Sequence, residues 1–115
     1  MVDVTAIEAG HASRELRVKV LTALGFEAKL HARWGVAMRS RGERWCSAPH
    51  FDDWNHSLLV LDDMLRGVLV SAARDASGKW QVDLRHVGSG VVYSGNSRYI
   101  GYALWAAVCR LRGVV

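Results

Sequence analysis

Proline and cysteine are scarce in this chain, and long apolar runs are missing. Among 115 residues there are one proline and two cysteines, and Cys46 and Cys109 lie far apart with no Cys-x-x-Cys spacing. We therefore expect a reduced, cytoplasmic protein whose core needs no disulfide or metal. The longest mainly apolar segment without a charge, Tyr99 to Cys109, is too short to span a bilayer. The first residues lack the basic-then-apolar order of a secretory signal, so we expect no membrane partner.

The charge balance is basic but moderate. The formal net charge is +4 and the sequence pI is about 9.5, which permits nucleic acid or an acidic protein as a partner without requiring either. A protein that imitates DNA should be strongly acidic, so this class is excluded. The length and an apolar fraction of 50% fit a single domain over residues 1–115. Within it, we expect residues 1–11 to form a flexible N-terminal segment.

The order of predicted elements is αβαβββα. In "SRELRVKVLTALGF", Ser13 can cap a helix that Gly25 ends, and "KLHARWGVAMR" alternates like one strand with Trp34 on its buried face. A second helix follows Pro49, and "VLVSAAR" and "KWQVDLRH" flank a hairpin turn. A short strand at 91–93 precedes a last helix capped by Asn96 or Ser97. These elements predict an α+β domain with a mainly antiparallel sheet packed against helices.

The stretch "APHFDDWNHSLLVLDDML", residues 48–65, has the highest density of reactive side chains. His50, Asp52 and His56 are possible metal ligands, but their spacing matches no strong metal motif. Asp52 or Asp53 can instead accept hydrogen bonds from the free N–H groups at a helix start. We expect a helix cap here, with no metal site and no cofactor.

No constellation in the sequence indicates catalysis. Cys46 lies near Arg44 and His50 in the sequence, but an unreactive loop cysteine is the simpler interpretation. The glycine-rich "GSGVVYSGN" lacks the Lys-Ser/Thr pair of a phosphate loop, and turn glycines explain it. We therefore expect that the protein is not an enzyme.

A basic and aromatic run from His31 to Trp45 is the main candidate binding feature. Guanidinium groups beside indoles suit phosphates, stacked bases or an acidic protein surface. The alternative is a solvated sheet face whose tryptophans point inward. The predicted partner-binding residues, with Arg85 extending the same sheet face, are Arg33, Arg39, Arg41, Arg44, Trp45 and Arg85.

The last helix is apolar over much of its circumference. Such a helix is either deeply buried or shared with a second copy. We favour a homodimer with Trp105 near the contact.

Several short motifs together resemble the phage ABA-sandwich domain proteins, a family of unknown function. They are "SREL", "ALGF", Trp34, the spacing Trp45-Pro49-Phe51 before "SLLVLDDM", then "GKWQV" and "YALWAAVCRLR". The resemblance covers most of the chain. It implies a small accessory protein of a phage or prophage with a sheet layered against helices, and it carries over no catalytic residue.

Small phage accessory proteins often bind and block host machinery, including CRISPR effectors. The first hypothesis is therefore a non-enzymatic, anti-CRISPR-like inhibitor that binds a host defence protein or ribonucleoprotein complex. The second is a nucleotide or nucleic-acid binder, such as a sponge for a nucleotide immune signal. An uncharacterised enzyme is the third.

Overall fold

Two three-stranded antiparallel sheets and four α-helices form an α+β fold, which confirms the predicted class. The computed structural model describes all residues, Met1–Val115. The helices are α1 (Val4–Glu8), α2 (Arg14–Ala23), α3 (Trp54–Val60) and α4 (Ile100–Leu111), and a 3₁₀ turn covers Asp62–Leu65. The first sheet contains β1 (Glu27–His31), β2 (Gly35–Arg39) and β3 (Cys46–Ser47). The second contains β4 (Val68–Arg74), β5 (Trp80–His86) and β6 (Val92–Ser97).

The predicted single strand over residues 29–39 is wrong, because the chain reverses within it. β1 and β2 form an antiparallel hairpin in which His31 lies opposite Gly35. His31 Nδ1 accepts the N–H groups of Arg33 and Trp34, at 3.1 and 3.0 Å, and Gly35 has the positive φ of +77° that the reversal needs. Trp34 is 38% exposed and stacks on His31 instead of entering the core.

Residues 1–11 are not a flexible segment, because they contain α1 and contribute to the core. The side chain of Asp3 caps the helix by accepting the N–H of Ala6 at 3.2 Å. Val4 and Ile7 are buried. The N–H of Val2 donates to the carbonyl of Val114 at 2.9 Å, which ties the two ends of the chain together.

The caps that sequence alone predicted are confirmed for α2 and α3, and so is the glycine that ends α2. Ser13 Oγ accepts the N–H of Leu16 at 3.1 Å, and Gly25 follows the helix with φ +99°. Asp53 caps α3 by accepting the N–H of His56 at 3.0 Å. Within residues 48–65, Asp53 therefore serves as the helix cap, as predicted.

α4 is the centre of the core, and eight of its twelve residues are buried. It packs on β5 and β6, and Gly95 allows the close approach: a Cβ there would lie 2.0 Å from the carbonyl oxygen of Ala103. Trp105 is fully buried, stacks on Phe51 with centroids 4.2 Å apart, and donates from Nε1 to Ser57 Oγ at 2.8 Å. The predicted dimer contact at Trp105 is therefore wrong, since the core of one chain already encloses this side chain.

The start of α4 also differs from the prediction. β6 continues to Ser97, so neither Asn96 nor Ser97 is the helix cap, and the helix begins at Ile100. Ser97 Oγ accepts the N–H of Tyr99 at 3.2 Å. None of the helices combines the length and the apolar character needed to cross a membrane.

Candidate binding surface

Trp45 lies beside two cationic side chains on the first sheet. Lys29 Nζ is 4.2 Å and Arg39 Cζ is 4.6 Å from the centroid of its ring. A cation over an indole is attracted by the negative face of the ring, by about 0.5–1 kcal/mol at exposed sites. Arg39 Nε also donates to the carboxylate of Glu27. The indole is half-buried, so part of it stays accessible beside the two cations.

The strand register explains this arrangement. Glu27 lies opposite Arg39, and Lys29 lies two residues along β1, so these side chains share one face of the sheet. Trp45 directly precedes the paired strand β3, where Cys46 lies opposite Met38. Lys29 was absent from the residues predicted from sequence, because a single strand over 29–39 does not bring it next to Trp45.

The turn between β2 and β3 adds two free cations. Arg41 and Arg44 are exposed, and the turn is closed by a hydrogen bond from the N–H of Glu43 to the carbonyl of Ser40 at 2.9 Å. Gly42 has a φ of +84° in this turn. We call the set Lys29, Arg39, Arg41, Arg44 and Trp45 the Trp45 surface.

Two of the residues predicted from sequence do not belong to the Trp45 surface. Arg33 lies in the turn at the opposite end of the β1–β2 hairpin, and β2 alone separates that turn from Arg39 by about 13 Å at ~3.3 Å per residue. Arg85 lies on β5 of the second sheet, opposite Leu69 and Val92. The prediction that Arg85 extends the same sheet face is therefore wrong, because the chain forms two sheets instead of one.

A shallow groove of about 260 Å³ borders the Trp45 surface. Arg39 and Arg44 line one side of it, and Leu59 of α3, which is 75% exposed, lines another. Exposed Cys46 also contributes, and its thiol donates to the carbonyl of Met38 at 3.4 Å. The groove gives a partner an apolar contact next to the cations.

A serine and a histidine meet near the end of β5, but they form a turn. His86 Nδ1 accepts the N–H of Ser89 at 3.2 Å and lies 3.3 Å from its Oγ. Ser89 Oγ in turn accepts the N–H of Val91 at 3.3 Å. His31 uses its Nδ1 in the same way in the β1–β2 turn. Both histidines therefore stabilise chain reversals after a strand.

The remaining reactive groups are dispersed. No group of three or more His, Cys, Asp and Glu side chains is arranged to hold a metal ion. Burial in α4 raises the pKa of Cys109 to about 12, so its thiol stays protonated at neutral pH.

Comparison of the chain with models of protein families, with curated proteins and with solved structures found no match. The resemblance to the phage ABA-sandwich domain proteins therefore stays a prediction.

Proposed function

We propose that this protein is a non-enzymatic binding protein that recognises an acidic protein surface through the Trp45 surface. The observation that carries the proposal is the placement of Lys29 and Arg39 over the ring of Trp45, next to the exposed cations of the 40–45 turn. Tryptophan and arginine are the residues most enriched among those that dominate binding energy at protein interfaces. The adjoining groove supplies apolar area beside them.

The details of the surface favour a protein over nucleic acid. Glu27 pairs with Arg39, and Glu43 lies between Arg41 and Arg44 in the sequence, so the charges are mixed. A strand of phosphates offers no cation to set against either carboxylate, whereas a protein surface that is acidic overall can still place a lysine or arginine opposite each of them. The indole of Trp45 is also already covered in part by Lys29 and Arg39, which leaves less of its face for the base stacking that single-stranded nucleic acids use.

The identity of the partner as a host defence component rests on the resemblance to a phage family. In this proposal the protein acts in the cytoplasm of the bacterial host and blocks a defence protein or a ribonucleoprotein complex by occupying its acidic surface. A nucleotide or nucleic-acid ligand is the second candidate, supported by the same concentration of arginines.

The test is affinity capture from a bacterial lysate with three immobilised forms of the chain: the parent, Arg41→Glu/Arg44→Glu, and a control. The control, Arg33→Glu/Arg98→Glu, changes the net charge equally at two exposed arginines outside the Trp45 surface. Exposed charges contribute little to stability, so all three forms should fold. We expect a specific bacterial protein to be retained by the parent and the control and lost from the first variant.

The nature of the ligand follows from salt and nuclease treatment of the same capture. A protein partner should survive nuclease and show a mild salt dependence, mostly in the association rate. A nucleic-acid ligand would be removed by nuclease, and its log affinity would fall linearly with log salt. Equal capture by all three forms would show that the Trp45 surface is not the binding site.

A further inference from the structure

β4 is an edge strand with an unusually open outer side. It pairs only with β5, and six of its seven residues are exposed. Leu69 is 61% and Val70 is 37% exposed, and the only charge in the strand is Arg74 at its end. A long, apolar edge strand is a template for pairing with another chain, and proteins usually cover or charge such edges.

The hydrogen-bond pattern shows which backbone groups face outward. At the two ends of the hairpin, Val87 N–H donates to Gly67 O and Asp75 N–H donates to Lys79 O. Hydrogen-bonded and non-hydrogen-bonded pairs alternate along an antiparallel ladder. Since Gly67 and Asp75 both belong to hydrogen-bonded pairs, the odd-numbered residues of β4 are the ones whose backbone groups bond to β5. The N–H and C=O groups of Val68, Val70, Ala72 and Arg74 therefore point away from the sheet, and no hydrogen bond outside the β4–β5 ladder engages them.

The other edge of the same sheet is closed. On β6, the N–H of Asn96 donates to Glu8 Oε2 at 2.8 Å, and the carbonyl of Ser94 accepts from Arg110 Nη1 at 2.6 Å. Glu8 and Arg110 also pair with each other at 2.8 Å. Side chains from α1 and α4 thus occupy two of the outward groups of β6, so a further strand cannot add there without displacing them.

We propose that β4 pairs antiparallel with β4 of a second copy of this chain about a two-fold axis at Ser71. This register places Val70 opposite Ala72 and Val68 opposite Arg74 of the second copy, so the outward groups of all four residues meet in hydrogen-bonded pairs. On both faces of the joined sheet, a larger side chain of one copy lies opposite a smaller one of the other. Val70 lies opposite Ala72 on one face, and Leu69 lies opposite Ala73 on the other. The two sheets then form one six-stranded sheet.

The charges at the ends of β4 fit this register. The two Arg74 side chains lie at opposite ends of the paired strands, about 20 Å apart along the strand at ~3.4 Å per residue, beyond the Debye length of about 8 Å at physiological salt. Each Arg74 faces the uncharged Val68 of the other copy, so no charged side chain of β4 lies opposite another charge of β4 in this register.

The closed edge of β6 predicts the size of the assembly. A two-fold contact uses the same strand of both copies, so pairing covers both open edges at once. The outer edges of the six-stranded sheet are then the two β6 strands, which Glu8 and Arg110 occupy. Pairing through β4 therefore stops at a dimer. This inference is independent of the Trp45 surface.

The first test compares two proline variants by sedimentation equilibrium over a wide concentration range. Ala72→Pro removes an outward N–H of β4 and leaves the β4–β5 ladder intact, since proline is accepted on an edge strand where the N–H faces solvent. Ala76→Pro is the matched control, because Ala76 is the second residue of the turn closed by Gly78 N–H on Asp75 O, where proline is favoured. We expect a dimer for the parent and for Ala76→Pro. The Ala72→Pro dimer should be weaker by roughly 100-fold, because symmetry removes two hydrogen bonds.

A second test needs no variant. Amide exchange of the parent should show Val70 and Ala72 protected in concentrated solution and unprotected on dilution, while inward Ser71 and Ala73 stay protected throughout. A parent that is monomeric at all concentrations would overturn the proposal. So would a dimer in which Val70 and Ala72 exchange freely, or protection of these amides only in a complex with a different protein.

Discussion

The hydrogen bond between Ser57 and Trp105 offers a sharp test of the core. Both residues are fully buried, and Trp105 Nε1 donates to Ser57 Oγ at 2.8 Å. In Ser57→Ala the indole N–H loses this acceptor in a site closed to water. A buried donor left without a partner costs about 1–3 kcal/mol, and we expect the free energy of unfolding to fall by that amount.

The assay is urea unfolding followed by far-ultraviolet circular dichroism, with a thermal melt in parallel. For a domain of this size each kcal/mol corresponds to a fall in Tm of about 3–6 °C. Ser47→Ala is the control, because Ser47 is exposed and its only hydrogen bond is to the neighbouring Ala48 carbonyl at 3.5 Å. This control should change stability by less than about 0.5 kcal/mol.

A double-mutant cycle separates the hydrogen bond from the loss of packing. Trp105→Phe removes the donor and some buried volume, so the single variant leaves the Ser57 hydroxyl without its partner. The combination of Ser57→Ala with Trp105→Phe should be less damaging than the sum of the two, with a coupling of about 1 kcal/mol or more. A Ser57→Ala variant as stable as the parent, with no coupling to Trp105, would refute the buried placement of the indole.

Three further predictions concern packing, pH and thiol reactivity. Gly95→Ala should cost about 3 kcal/mol or more or prevent folding, since its Cβ would overlap the Ala103 carbonyl at 2.0 Å; a normal melt would contradict the helix packing. Although partial burial opposes it, hydrogen bonds from Arg110 and the Asn96 N–H hold the pKa of Glu8 below its ordinary value of 4.5. Because its pKa is lower in the folded state, ionised Glu8 stabilises the fold at pH values above the unfolded-state pKa. This stabilisation is lost as the pH falls through the folded-state pKa. The free energy of unfolding of Glu8→Gln should therefore fall less than that of the parent as the pH is lowered. The same pH dependence in both proteins would contradict the pairing of Glu8 with Arg110. In native protein at neutral pH, iodoacetamide should modify exposed Cys46 and spare Cys109, whose pKa is about 12; mass spectrometry of the two peptides checks this.

The fold class and the β4–β5 hairpin were predictable because their signals are local. Trp80, Val82 and Leu84 alternate on one face of β5, and the turn 75–78 separates two such strands, so the β4–β5 hairpin follows from sequence. The caps at Ser13 and Asp53 are equally local, because each side chain bonds an N–H three residues ahead.

The first sheet was missed because its register hides the turn. Leu30 of β1 lies opposite Val36 of β2, and both residues have even numbers. The apolar residues therefore fall on even positions before and after the reversal, and the pattern looks like that of one continuous strand. Two residues mark the reversal. The His31 side chain accepts two backbone N–H groups of the turn, and Gly35, which follows the turn, has a positive φ. This error also hid the contact between Lys29 and Trp45.

The interior position of Trp105 could not be read from its helix alone. The apolar circumference of α4 fits both a dimer contact and a central helix, and the choice depends on partners distant in the sequence. These are Ser57 and Phe51 from the region of α3 and the glycine at position 95, which lets β6 approach the helix backbone.

The most direct test of the Trp45 surface is hydroxyl-radical footprinting of the protein with and without the captured partner. Trp45 and Trp34 lie near opposite ends of the β1–β2 hairpin and both reach solvent, so Trp34 serves as an internal control in the same molecule. The proposal predicts that the oxidation of Trp45 falls sharply in the complex while the oxidation of Trp34 is unchanged. Unchanged oxidation of Trp45 in a fully formed complex would contradict it.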